Sequence, residues 1–213
     1  MGEWKTFPQS GNNVLAQDQE QSCGYCCIGM VVNHLDPTFF PSEESLVAAG
    51  KREGSGEYDK APVDIIGAQQ TFLVQAAYEE FGHLPYWGTG TYGKHLADIL
   101  TNQYQINATY QANQSDTNRK RAMRAVTAGH PMIVLVQWDG GGGHWVLVVG
   151  RATRGWGKAS DYTILDPSGD VVINRGSTNY TAANGSKGKF AGYYVTVEGK
   201  IAQAQLPRVK VMI

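Results

Sequence analysis

Up to about residue 130 the apolar residues recur at helical spacing, and beyond Gly129 they gather into short β-rich runs divided by glycine. In the segment Asp64 to Phe81, the spacing of Ile65, Ile66, Phe72, Leu73, Ala76, Ala77 and Phe81 predicts a helix, with Asp64 after Pro62 as its start. Further helices are predicted at 23–35, 43–50, 92–100 and 117–128. The runs MIVLVQW (132–138), HWVLVVG (144–150), DYTILD (161–166), VVI (171–173) and GYYVTV (192–197) predict an antiparallel sheet. The polar stretch 101–118 reads as a loop or weak strand, and 176–190, rich in Gly, Ser, Asn and Lys, as a mobile loop. Helices followed by strands indicate one α+β domain over residues 1–213, with 1–130 mainly helical and 131–213 mainly antiparallel β. A site is expected in the cleft between the helical layer and the sheet.

A chain of 213 residues is long enough to bury about 70% of its unfolded surface on folding. Its formal net charge of -1 argues against a nucleic-acid or anionic-membrane partner, since phosphate affinity rests on accumulated Lys and Arg. The one basic run, Arg119, Lys120, Arg121 and Arg124, falls in a predicted helix and reads as a solvated face. No apolar stretch approaches 18 residues, so no membrane span is expected. MGEWKTFPQSGNN lacks the basic-then-apolar pattern of a signal peptide, which leaves a cytoplasmic chain, one exported by another route, or one given without its leader. The three cysteines, Cys23, Cys26 and Cys27, lie within five residues, an odd cluster that cannot staple distant segments.

Candidate chemistry begins with two hairpins. DGGGG (139–143) is a tight connection that leaves His144 to open a strand, and DPSG (166–169) is a type I turn that closes the next strand on Asp166. If the strands pair about the connection RATRGWGKA with Gly150 opposite Ser160, His144 faces Asp166. Directly opposite residues approach closely enough for a carboxylate to orient an imidazole and favour its charged form. Cys23 sits where a helix should begin, with Ser22 as its cap. A first helical turn offers free N–H groups and a partial positive charge, which favour a thiolate and leave donors for an oxyanion. The side-chain amide of Gln17, on the preceding loop, supplies a second donor in this reading, and a histidine base near a cysteine is the pattern of an activated nucleophile.

Gln17-x5-Cys23-Gly24, then His144-Trp145-Val146 in a glycine-rich hairpin, then Asp166-Pro167 resembles the papain-like cysteine peptidases. The resemblance is closest to the bacterial peptidases that remove double-glycine leader peptides and their stand-alone relatives. It implies a papain-like α+β fold, Cys23 as nucleophile, His144 as general base and acid, Asp166 as its orienter and Gln17 as oxyanion donor. It also implies a peptide or protein substrate and no cofactor or metal. In the plant and lysosomal branch the nucleophile is the second cysteine of Cys-Gly-x-Cys. That would move the role to Cys26, with Glu20 rather than a glutamine six residues upstream. Leader peptidases are usually fused to a transporter, whereas this chain shows no membrane segment, so leader removal does not carry over; a bacterial enzyme or a toxin-like effector fits.

Other readings stay beside this one. The same machinery serves acyl transfer and glutamine deamidation. Cys23-Gly24-Tyr25-Cys26 also reads as a thiol-disulfide redox motif, although such a motif is expected after a strand in a βαβ unit. A single C-x-x-C lacks the second ligand pair of a zinc site. An inactive binding module would keep the fold without the chemistry. Cys26 and Cys27 read as buried small hydrophobes, and His34, His83, His95 and His130 as surface or satisfied core residues. Trp138, Trp145 and Trp156 read as packing or cleft-wall residues.

Overall fold

Residues 23–35 are apolar on nearly every side, and the helix they form, α1 (Cys23–Leu35), is buried from Cys23 through Asn33. A helix of that kind has to be wrapped by other elements. The structure, a computed structural model that describes residues 2–19, 22–52, 91–112, 115–153 and 160–200, shows the wrapping. A hairpin of β1 (Glu3–Phe7) and β2 (Asn12–Ala16), the helices α2 (Glu43–Arg52) and α3 (Gly93–Tyr104), and an antiparallel sheet all pack around it. Its buried Asn33 is satisfied, donating to the Phe39 carbonyl at 2.9 Å and accepting from Asn13 Nδ2 at 3.0 Å. Gly29 sets the closeness of this packing: a Cβ there would lie 2.8 Å from Leu46 of α2 and 3.0 Å from Leu15 of β2.

The sheet comprises β3 (Ile106–Ala112), β4 (Met132–Trp138), β5 (Gly143–Thr153), β6 (Ser160–Asp166), β7 (Asp170–Arg175), β8 (Asn179–Thr181) and β9 (Lys187–Lys200). Its order is β3-β9-β4-β5-β6-β7, with β8 paired to β9. Ile133, Trp145, Leu147, Leu165 and Val195 point to one face and join α1 and α3 in the larger core. Their neighbours Val134, Val146, Val148 and Ile164 point to the other face and pack with Tyr180, Phe190 and Met123 of α4 (Asp116–Ala125). Both faces are covered, which is why MIVLVQW is nearly continuous in apolar residues instead of alternating. The architecture is α+β, with four helices and a large antiparallel sheet among the described residues. No helix among them is long and apolar enough to cross a membrane.

Up to residue 130 the chain carries strands as well as helices. The first half also supplies the β1–β2 hairpin and the edge strand β3, which pairs with β9. In the stretch read as loop or weak strand, α3 runs on to Tyr104, Gln105 turns out at φ 56, β3 follows, and Ser115 caps α4 by accepting from Asn118 N at 3.3 Å. Residues 176–190 contain β8 and the start of β9, because Tyr180 and Phe190 anchor both arms in the second core. Turn-forming residues there outnumber the two anchors, and composition reads only the turn. Arg119 is also not on a solvated face: its side chain is 12% exposed, donates to the Phe190 carbonyl and pairs with Asp116. The helix expected at 64–81, His83 and Trp156 lie outside the described residues.

Candidate active site

Gly141 and Gly142, at φ 93 and 84, close the β4–β5 hairpin, and His144 stands on β5 opposite Val136. The β6–β7 hairpin closes through Gly169 (φ 99), whose N–H donates to the Asp166 carbonyl at 2.8 Å. The strand register differs from the expected one. Gly150 pairs with Thr163 instead of Ser160, and a bulge between Val148 and Gly150 then sets Val148 against Ile164 and Leu147 against Leu165. Continued from there, Asp166 lies opposite Val146, which makes His144 its diagonal neighbour instead of its direct partner. An offset of two residues preserves side-chain parity, so ring and carboxylate still share a face. They meet: His144 Nε2 is 2.7 Å from Asp166 Oδ1.

Asp166 is fully buried, a placement that disfavours its charge. That penalty is outweighed by the bonds from His144, the Tyr180 hydroxyl on Oδ2 and the Ser168 N–H at 2.8 Å, so the carboxyl is held below its ordinary range. For His144, burial pulls the imidazole down most strongly, but its hydrogen bonds to Asp166 and Cys23 and the charges of both raise it to about 10. With Nε2 taken by Asp166, Nδ1 is the nitrogen left for Cys23. Trp138 lies over the ring, with centroids 5.5 Å apart and planes 23° from parallel, and shields it on that side.

Cys23 opens α1 and is 7% exposed. Its sulfur accepts the Trp145 N–H at 3.5 Å, beyond the last β5–β6 pair, Leu147–Leu165. Strand N–H groups point along the sheet, so the sulfur sits in line with the sheet at the notch where β6 stops. There His144 reaches it from the face that carries Val146 and Val148. The Trp145 indole donates to the Thr91 carbonyl at 2.8 Å and packs in the larger core.

Ser22 precedes the helix as expected, and its carbonyl accepts from Cys26 N at 2.9 Å, yet its hydroxyl makes no capping bond. That hydroxyl turns instead to the Gln19 carbonyl at 2.9 Å and to Glu43. The Gln17 backbone N–H donates to the Pro167 carbonyl at 2.8 Å, which ties the loop before Cys23 to the turn after Asp166. Its side-chain amide donates to Gln19 O at 3.3 Å. Cys26 and Cys27 are fully buried, as read from the sequence, and all three cysteines are free thiols. Burial pushes the Cys26 and Cys27 thiols up, reinforced at Cys26 by the charge of Glu43 and at Cys27 by Cys23. His34 bonds the Ala128 carbonyl at 2.7 Å, and the His95 ring lies edge-on to Tyr92.

The structure thus brings Cys23, His144 and Asp166 together and binds the Gln17 main chain to the same turn. Sequence reasoning missed Tyr180, hidden in a stretch of turn residues, and the fully buried Glu43, which at the head of a helix looks like an ordinary solvated carboxylate. No protein-family model matches the chain, and no curated protein does.

Proposed function

We propose that the protein is a papain-like cysteine peptidase acting through Cys23, His144 and Asp166. The observation that carries this reading is the His144 ring held between the buried Asp166 carboxylate and the Cys23 thiol. The Cys23 sulfur attacks the carbonyl carbon of a peptide bond, and the oxyanion forms beside the Cys23 N–H and Gln17. The Gln17 side-chain amide donates to a neutral carbonyl, that of Gln19, at 3.3 Å, and a charged acceptor binds an amide more strongly. Protonated His144 gives its proton to the leaving amine, leaving an acyl-enzyme. It then takes a proton from water as the resulting hydroxide attacks the acyl carbon, releases the acid and expels the Cys23 sulfur as thiolate beside the re-protonated ring.

Cys26 is a poor rival as nucleophile or redox partner, since burial and the Glu43 charge both oppose its thiolate. The test is to trap a covalent adduct from a peptide library and locate it by mass spectrometry, alongside turnover by Cys23→Ala. The adduct is expected on Cys23, and Cys23→Ala should lose activity by about 10³-fold or more with its fold intact. Retained turnover, or an adduct on Cys26, would overturn the assignment.

A further inference from the structure

The side chain of Glu43 is fully buried at the first residue of α2, where a carboxylate ordinarily faces water and serves the helix dipole. Its oxygens are occupied from three stretches of chain. Oε2 accepts the Gly2 N–H at 2.7 Å, both oxygens accept the Asp18 N–H at 3.2 and 3.3 Å, and Oε1 accepts the Gln19 N–H at 3.2 Å and the Ser22 hydroxyl. The Cys26 thiol lies 4.0 Å from Oε1. A buried carboxylate is tolerated only when its lone pairs are used in this way. Residue 2 could carry no side chain here, because a Cβ would fall 2.8 Å from Oε2.

What these bonds hold is the chain at residues 17–19 and at Ser22, on the approach to Cys23. Three successive N–H groups are pinned, that of Gln17 to the Pro167 carbonyl and those of Asp18 and Gln19 to Glu43. Pro167 follows Asp166, and Ser22 precedes Cys23. The loop is thus fastened at one end to the turn bearing the carboxylate of the triad and at the other to the helix bearing the thiol. We infer that Glu43 is the positioning residue of the oxyanion site, acting through this loop on Gln17. The inference rests on the peptidase reading above. A glutamine at position 43 keeps the volume but replaces one accepting oxygen with an NH₂ group that faces N–H donors.

Two probes separate positioning from general support. Iodoacetamide forms an S–C bond to Cys23 as iodide leaves, with no oxyanion. p-Nitrophenyl acetate transfers its acetyl group to Cys23 through a tetrahedral oxyanion and expels p-nitrophenolate. Glu43→Gln is expected to slow the p-nitrophenolate burst by about 10–100-fold while alkylation changes by less than about 3-fold. Gln17→Ala should behave alike, and the double variant should be no slower than the slower single one, since both act on one interaction. Equal losses with both probes, or losses that multiply, would make Glu43 merely structural and overturn the inference. If Glu43→Gln does not fold, Ser22→Ala removes one donor and keeps the carboxylate. A smaller loss confined to acylation supports the role, and equal loss with both probes overturns it. A wild-type Cys23 inert to iodoacetamide ends the peptidase reading and this role with it; one that alkylates but whose acylation is indifferent to Glu43 ends only this role.

Discussion

The charge on His144 is set by a contest in which burial opposes it and its two partners sustain it. Because its folded value near 10 lies above its ordinary one, the stability it contributes is complete below about pH 6.5 and is lost as pH rises through 10. Asp166 is depressed, so its contribution holds above its ordinary value and is lost as pH falls through its folded value. The ring is therefore an imidazolium at pH 8, and proton donation to a leaving amine should fade only as pH passes about 10. NMR titration of the His144 ring should find that midpoint, and Asp166→Asn should lower it by about 1–3 pH units; a wild-type midpoint near 6.5 would dissolve the pair. That Cys23, His144 and Asp166 would meet was legible because each sits at a punctuated place, a helix start or the end of a strand beside glycine. Glu43 and Tyr180 were not, since a local pattern cannot show which distant N–H or carboxylate a side chain will meet.

Among the elements, α1 and β4 were read to the residue, since long apolar runs bounded by turn signals leave little choice. The β1–β2 hairpin was missed because of its ten paired residues only Val14 and Leu15 are buried, too few for a visible period. The β5–β6 register was misjudged because β5 runs on to Thr153, which pairs with Ser160; the bulge between Val148 and Gly150 brings the offset of three back to an even two, so His144 and Asp166 still share a face. One close joint between elements lies at Gly29. Gly29→Ala should overpack it and cost about 1–3 kcal/mol. Calorimetry should show Tm falling by about 2–4 °C for each kcal/mol in a chain of this size. An unchanged Tm would mean that α1, α2 and β2 are less closely packed than the distances here.

At the scale of the whole molecule, the proposed site exists only when α1 from one part of the chain meets β5 and β6 from another, so thiol reactivity should report global folding. A brief pulse of iodoacetamide is expected to label Cys23 alone in the native protein, and all three cysteines across the urea transition. Mass spectrometry should place the midpoint for Cys26 and Cys27 on that of circular dichroism; early labelling of either would reveal local opening of α1. The segregation of helices before strands was legible as a class, while the sheet order was not, because pairing β3 with β9 joins segments far apart in sequence. That order has a bearing on biosynthesis. β9 is the last of the described sheet strands to leave the ribosome, yet its place is between β3 and β4, one strand in from the edge. A nascent chain that already displays its sulfur, imidazole and carboxylate still lacks the partner of β4, the strand beside β5, so the sheet carrying His144 is incomplete until translation has passed residue 200.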